Sequence, residues 1–181
     1  MVSTQKLLGY LKLASSEQKL LDYMYTLGVD LKKELFLEKD EYGSYDGSDA
    51  YIERPLGGYC LLFSDEAEFL GKRDQPIGVG KLYFSTVFFY SEGKDEYSQY
   101  KGELPFGLSF EDRRENVVHK LGEQSWQRLA QDDERVISDR WDNLLEVAYR
   151  LHVSYYKDTG KISIISATIP DRSLIDGTKF D

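Results

Sequence analysis

Nucleophilic or metal chemistry in this chain would have to be built from two histidines, one cysteine and scattered serines. Catalysis by a nucleophile needs that group, a base and an orienting residue held together. His119 falls in a helical pattern near Leu121, and His152 sits mid-strand between Leu151 and Val153. Neither has a fixed relation in sequence to a serine or an acid. Ser109 in "GLSFED" has a glycine on one side only, where a nucleophile elbow requires one on both, and it reads more simply as the entry to a helix. Paired histidines and a second cysteine are both missing, so a zinc site is not expected. "DEYGSYDGSDAYIE" lacks the regular alternation of ligands that a calcium loop requires, because Tyr42 and Ser44 follow Asp40. "PIGVGK" lacks both the frame and the hydroxyl residue after lysine of a phosphate-binding loop. Two groups of carboxylates remain. Asp142 and Glu146, if helical, share a face and repel slightly. Glu111, Asp112 and Glu115 suit the start of a helix, where unpaired N–H groups favour negative charge. The residues therefore predict no catalytic group, no metal and no cofactor.

Binding is the chemistry left. The stretch "EKDEYGSYDGSDAY", residues 38–51, sets five acids beside three tyrosines with Lys39 as its only positive charge. Tyrosine offers broad, stiff contact area with a polar tip, and carboxylates steer a cationic partner into encounter. Asp40, Glu41, Asp46 and Asp49 are the expected charges of a partner-binding surface, and Tyr42, Tyr45 and Tyr51 its contact area. An acidic loop rich in Gly and Ser is equally what a solvated connection looks like.

The elements that must carry these residues are partly legible. Leu7, Leu8, Leu11 and Leu13 predict a first helix over 3–13. Ser15 with Gln18 suggests a capping box for a second, which holds Leu20, Leu21, Met24 and Leu27 and closes at Gly28. "YCLLFSD" and "KLYFSTVFFYSE" read as strands from their aromatic and apolar content. Asp112 with Glu115 suggests a cap for a third helix, which ends at Gly122. The stretch 123–149 is ambiguous between helix, strand and loop. Two alternating runs around "DTGK" (158–161) predict a hairpin.

The two halves resemble each other. Each has a helix ending in Leu-Gly, an uncertain first strand, and two clear strands, with "YCLLFSD" matching "LHVSYYKD" and "KLYFSTVFFY" matching "KISIISATIP". The expected fold is α+β, a tandem repeat of two helix-plus-antiparallel-meander units, 1–98 and 99–181, packed together. A unit of that size has a thin core alone. Leu61, Phe63, Val153 and Tyr155 are expected to face the shared one.

At 181 residues, 41% hydrophobic and 14% aromatic, the chain has ample core material. A net charge of −9 argues against non-specific nucleic-acid binding, which needs Lys and Arg against phosphate. The acidity is uneven: residues 1–100 hold 17 Asp and Glu against 11 Lys and Arg, and the rest hold 15 against 12. No apolar run approaches a membrane span, and the first residues read as helix and not as a secretion signal. Cys60, alone among apolar neighbours, suggests a buried thiol in a reducing cytoplasm.

"LPFGLSF" followed by "VHKLG", with the later "RLHVSYYKDTGKISIISATIP", resembles a pattern found in a group of bacterial proteins, some of them associated with toxin–immunity loci. The helix closed by "LG" and followed by a meander is also similar to the repeat of the β-lactamase inhibitor protein and of the small outer-membrane assembly lipoprotein. The resemblance covers roughly residues 100–170. The lipoprotein group requires a lipid-bearing cysteine after a signal, and the inhibitor group is disulfide-bonded; this sequence departs from both. The resemblance that remains implies a cytoplasmic protein that binds and blocks a toxic domain without catalysis of its own. A small hydrolase or transferase, with its site in a cleft between the halves and His119 or His152 as base, is the competing expectation. Oligomeric state is not legible.

Overall fold

A computed structural model describes residues 2–72, 74–131, 134–144 and 147–170. In chain order the elements are α1 (Thr4–Leu8), α2 (Gln18–Thr26), α3 (Leu31–Glu34), β1 (Asp49–Arg54), β2 (Tyr59–Asp65), α4 (Glu66–Phe69), β3 (Leu82–Tyr90), α5 (Arg114–Leu121), β4 (Trp126–Leu129), β5 (Val136–Trp141), β6 (Arg150–Tyr155) and β7 (Ile162–Thr168). The fold is α+β. The seven strands form one sheet in the order β1-β2-β3-β7-β6-β5-β4. Among the described residues no helix is long and apolar enough to cross a membrane. The described residues group into two compact units, one within 9–53, 61–86 and 169–170, the other within 2–8, 54–60 and 87–168. Dividing points fall inside β1, β2 and β3.

In the first of these units, α2 buries Leu20, Tyr23 and Met24, the three- and four-residue spacing of an amphipathic helix. It closes at Gly28, whose φ of 75° lets its N–H reach the Tyr25 carbonyl at 3.0 Å while the Val29 N–H reaches Met24. The expected Ser15–Gln18 box does not form. Glu17 stands at the helix start and turns its carboxylate back onto the Ala14 N–H, at 3.1 Å. The expected first helix is also shorter, stopping at Leu8. Residues 12–15 run beside the start of β3, with Lys12 N–H on the Phe84 carbonyl at 2.7 Å and Phe84 N–H on Leu13 at 2.9 Å. Lys12 at φ 71° makes the turn into that segment. Strand pairing has overridden a helical pattern that Gly9 already weakens. Leu61 and Phe63 are fully buried, and Phe63 stacks on Phe84 with ring centroids 5.0 Å apart.

In the other unit β4, β5, β6 and β7 form an antiparallel ladder. β6 alternates between half-open Arg150, His152, Ser154 and buried Leu151, Val153, Tyr155. The "DTGK" turn forms with Gly160 at φ 68° and Tyr156 N–H on the Lys161 carbonyl at 2.8 Å. The expected Asp112–Glu115 cap gives way to one residue pair further on. Asn116 Oδ1 accepts the Arg113 N–H at 3.1 Å, whereas Asp112 accepts from Ser109 N–H at 2.8 Å and from the Lys120 ammonium at 2.7 Å. "LPFGL" is a single tight turn, Pro105–Gly107, with Phe106 at φ 57°; the Lys120 ammonium, in the last turn of α5, donates to the Gly107 carbonyl at 2.8 Å. The motif residues thus fasten the start of α5 to its end. Gly58 also belongs to this unit. With φ 72°, it passes so close to the chain at Tyr100 that a β-carbon there would lie 2.2 Å from the Tyr100 nitrogen.

Candidate functional site

The acidic stretch is a small hairpin followed by a strand. Lys39 and Tyr45 bridge antiparallel, the Asp40 N–H donates to Ser44 at 2.8 Å, and the Asp46 N–H donates to Glu38 at 3.0 Å. Asp40 Oδ1 accepts the N–H groups of Tyr42 at 2.9 Å and Ser44 at 2.8 Å, the local bonding that makes Asp a turn residue. The Lys39 ammonium lies 4.7 Å from the centre of the Tyr45 ring. That ring rests on Gly78, where a β-carbon would come within 2.1 Å of it. The hairpin is therefore pinned at its base.

All seven expected residues, Asp40, Glu41, Tyr42, Tyr45, Asp46, Asp49 and Tyr51, are exposed. Their roles differ. Asp40 holds the turn, Tyr45 is the anchor, and Asp49 on β1 accepts the Ser64 hydroxyl at 2.7 Å. Glu41 and Asp46 project their charge outward, and Tyr42 is 85% exposed at the tip. Tyr51 on β1 and Phe36 before the hairpin add exposed aromatic surface. The turn around 65–78 is held by buried Asp65, which accepts the Ala67 N–H at 2.9 Å and the Gly78 N–H at 3.0 Å. The Lys72 ammonium and the Lys81 N–H hold Glu66 below the usual carboxylate range. The surface beside the hairpin is thus tied down at several points.

The histidines do not meet acids. His119 is exposed on α5, and His152 is half-buried on β6; among the described residues neither imidazole hydrogen-bonds a carboxylate. Burial, helped by Arg140 and Arg128, disfavours the charged form of His152 and lowers its pKa, with Asp139 partly opposing. Among the described residues no group of three or more His, Cys, Asp or Glu side chains could hold a metal ion. Asp142 follows β5 directly and lies between Arg140 and Arg150, at 3.0 and 3.2 Å; Glu146, its expected helical partner, lies outside the described residues. Cys60 is buried.

One charged constellation went unanticipated. Asp139 on β5 has no exposed surface, and its carboxylate receives Arg114 in a two-pronged contact, Nε to Oδ2 at 2.8 Å and Nη2 to Oδ1 at 3.2 Å. The Tyr155 hydroxyl donates to the same Oδ2 at 3.1 Å. Burial pushes Tyr155 far up, reinforced by the neighbouring Asp139 charge. The Asp139 contact raises Arg114 as well. This triad clamps the first turn of α5 to the sheet, and its members bond one another. The spacing Ile137, Asp139, Trp141 was the available signal, because alternation puts that aspartate on the same side of the strand as a tryptophan.

Comparison of the chain with protein-family models, with curated proteins and with solved structures finds no match.

Proposed function

We propose that the chain is a non-enzymatic bacterial binding protein of the cytoplasm, an immunity protein that occludes the working surface of a toxin domain. The observation that carries this reading is the pinned hairpin, which presents Glu41, Tyr42 and Asp46 outward without requiring the loop to be ordered on binding. Carboxylates on a pre-formed turn suit a partner whose own site is lined by Lys and Arg, such as one that handles an anionic substrate. Tyr42 and Tyr51 would supply the contact area. The resemblance of "LPFGLSF…VHKLG" to proteins of toxin–immunity loci points the same way.

The order of the sheet supports the tandem repeat within this proposal. Counting outward from the β3–β7 pair, β2 and β6 come next, then β1 and β5. Those are the pairs that the sequence correspondence between the halves would match. β3 and β7 run antiparallel, since the Ser91 N–H donates to Ser163 and the Ile169 N–H to Ser85.

The test is co-expression of this chain with the variable C-terminal domain of a large secreted protein encoded beside it. Growth restored by the chain, with a complex that co-purifies, supports the proposal. Unrelieved toxicity with no complex contradicts it.

A further inference from the structure

β4 closes one end of the sheet, and among the described residues no strand lies beside its outer edge. Proteins usually blunt such an edge with lysine, proline or cover. Here the strand is "WQRL", with all four residues exposed, Trp126 at 41% and Leu129 at 44%.

The face beside that edge is cationic in a chain of net charge −9. Register puts Trp126, Arg140, His152 and Ser166 in one row across four strands, and Arg128, Ser138, Ser154 and Ile164 in the next. The Arg140 guanidinium lies over Trp126 at 5.3 Å, and the Trp126 and His152 ring centres are 6.3 Å apart. Arg140 and Arg150 share the single carboxylate of Asp142, and the Arg140 Nε, Arg150 Nε and Asp142 Oδ1 atoms meet as charges without well-directed hydrogen bonds. Arg128, exposed on β4, adds a third guanidinium. Among the described residues of this cluster, three arginines stand against the one acid Asp142.

We propose that the free edge of β4 and this arginine–tryptophan face take an extended acidic segment of a partner protein as an added strand. Main-chain hydrogen bonds to the edge would hold the segment, and alternate side chains would fall on the Trp126 and Arg128 side. Carboxylates at those positions reach guanidiniums that can bind them with two parallel bonds. A polynucleotide offers charge but no amide ladder, so edge and face together select an acidic peptide. This site is independent of the hairpin and of the toxin-binding proposal; the Glu41→Ser/Asp46→Ser variant leaves it intact.

The probe is a fluorescein-labelled nonapeptide of alternating Glu and Val, titrated with the full chain and followed by polarisation and by tryptophan fluorescence. Saturable binding is expected, weakened at least tenfold by Arg128→Glu and also by Trp126→Gln, with thermal melts confirming that both variants remain folded. N-methylating the peptide at alternate residues is expected to abolish binding in one frame and spare it in the other, because only one set of N–H groups faces β4. The proposal is overturned by no binding at millimolar chain or by equal binding of both methylated frames. Equal affinity for a Lys–Val peptide or an oligothymidine of the same length overturns it too. So does self-association of the chain that Arg128→Glu abolishes, which would make a second copy the occupant.

Discussion

Asp139 is a fully buried charge in the Val87–Thr168 segment, held by Arg114 and Tyr155. Breaking a buried ion pair by removing one charge strands the other, whereas losing one neutral donor of several costs much less. Asp139→Asn leaves Arg114 facing an amide, and we expect a loss of about 3 kcal/mol, the low end for breaking a buried pair because Arg114 is partly open to water. Urea unfolding should show a lower midpoint at unchanged slope. Tyr155→Phe removes one donor of three and should cost only about 1 kcal/mol. Ionisation states follow the same burial. His152 has a lowered folded pKa, so the unfolded chain takes up its proton first as pH falls. Its contribution is present above about pH 6.5 and is lost as pH drops toward the folded value. His152→Gln should flatten stability between pH 5 and 7 relative to the unaltered chain. Tyr59, Tyr100, Tyr149 and Tyr155 have raised folded values, each chiefly from burial. Their sign is opposite in consequence: stability holds below about pH 10 and falls as pH rises further. An absorbance titration should show part of the tyrosine signal appearing only with alkaline unfolding.

At the scale of elements, glycines mark where the backbone leaves no choice. Gly58→Ala must both strain a left-handed residue and push away the backbone at Tyr100, so it should destabilise the chain by more than 2 kcal/mol, about the sum of those two effects. Gly78→Ala should act locally by dislodging Tyr45. The hairpin would lose its anchor, and amide exchange of Asp40, Gly43 and Asp46 should speed up while core exchange stays unchanged. Such effects were invisible in sequence, because they depend on what lies opposite. The strands of 59–65, 81–90 and the 150–170 hairpin were legible, since apolar alternation and turn residues agree there. Leu61, Phe63, Val153 and Tyr155 are all buried; β6 follows the expected alternation, whereas β2 buries all seven of its residues on both sides. β4 and β5 were ambiguous for a physical reason. One face of that pair is open, and the other buries an aspartate satisfied by Arg114, a residue from a different element. α3 and α4 are single turns, too short for a periodic signal. The acidic stretch was legible as an exposed surface, but not the division of labour in which Asp40 and Tyr45 shape the hairpin and Glu41, Tyr42 and Asp46 are displayed.

Considered as one molecule, the chain carries its excess negative charge unevenly, with an outward acidic hairpin in one unit and a cationic sheet edge in the other. The hairpin should act on encounter more than on the lifetime of a complex, because exposed carboxylates steer association and are screened by salt. Asp40→Ser and Asp49→Ser are unsuitable probes, since both acids also hold local structure. Glu41→Ser/Asp46→Ser removes charge alone. The deciding measurement is the association rate of the neutralised toxin domain with the unaltered chain and with this variant, across a range of salt. Toxin neutralisation through the hairpin predicts that the variant associates about fivefold more slowly at low salt, with a shallower salt dependence and little change in dissociation. Identical association rates and salt slopes for the two would contradict it.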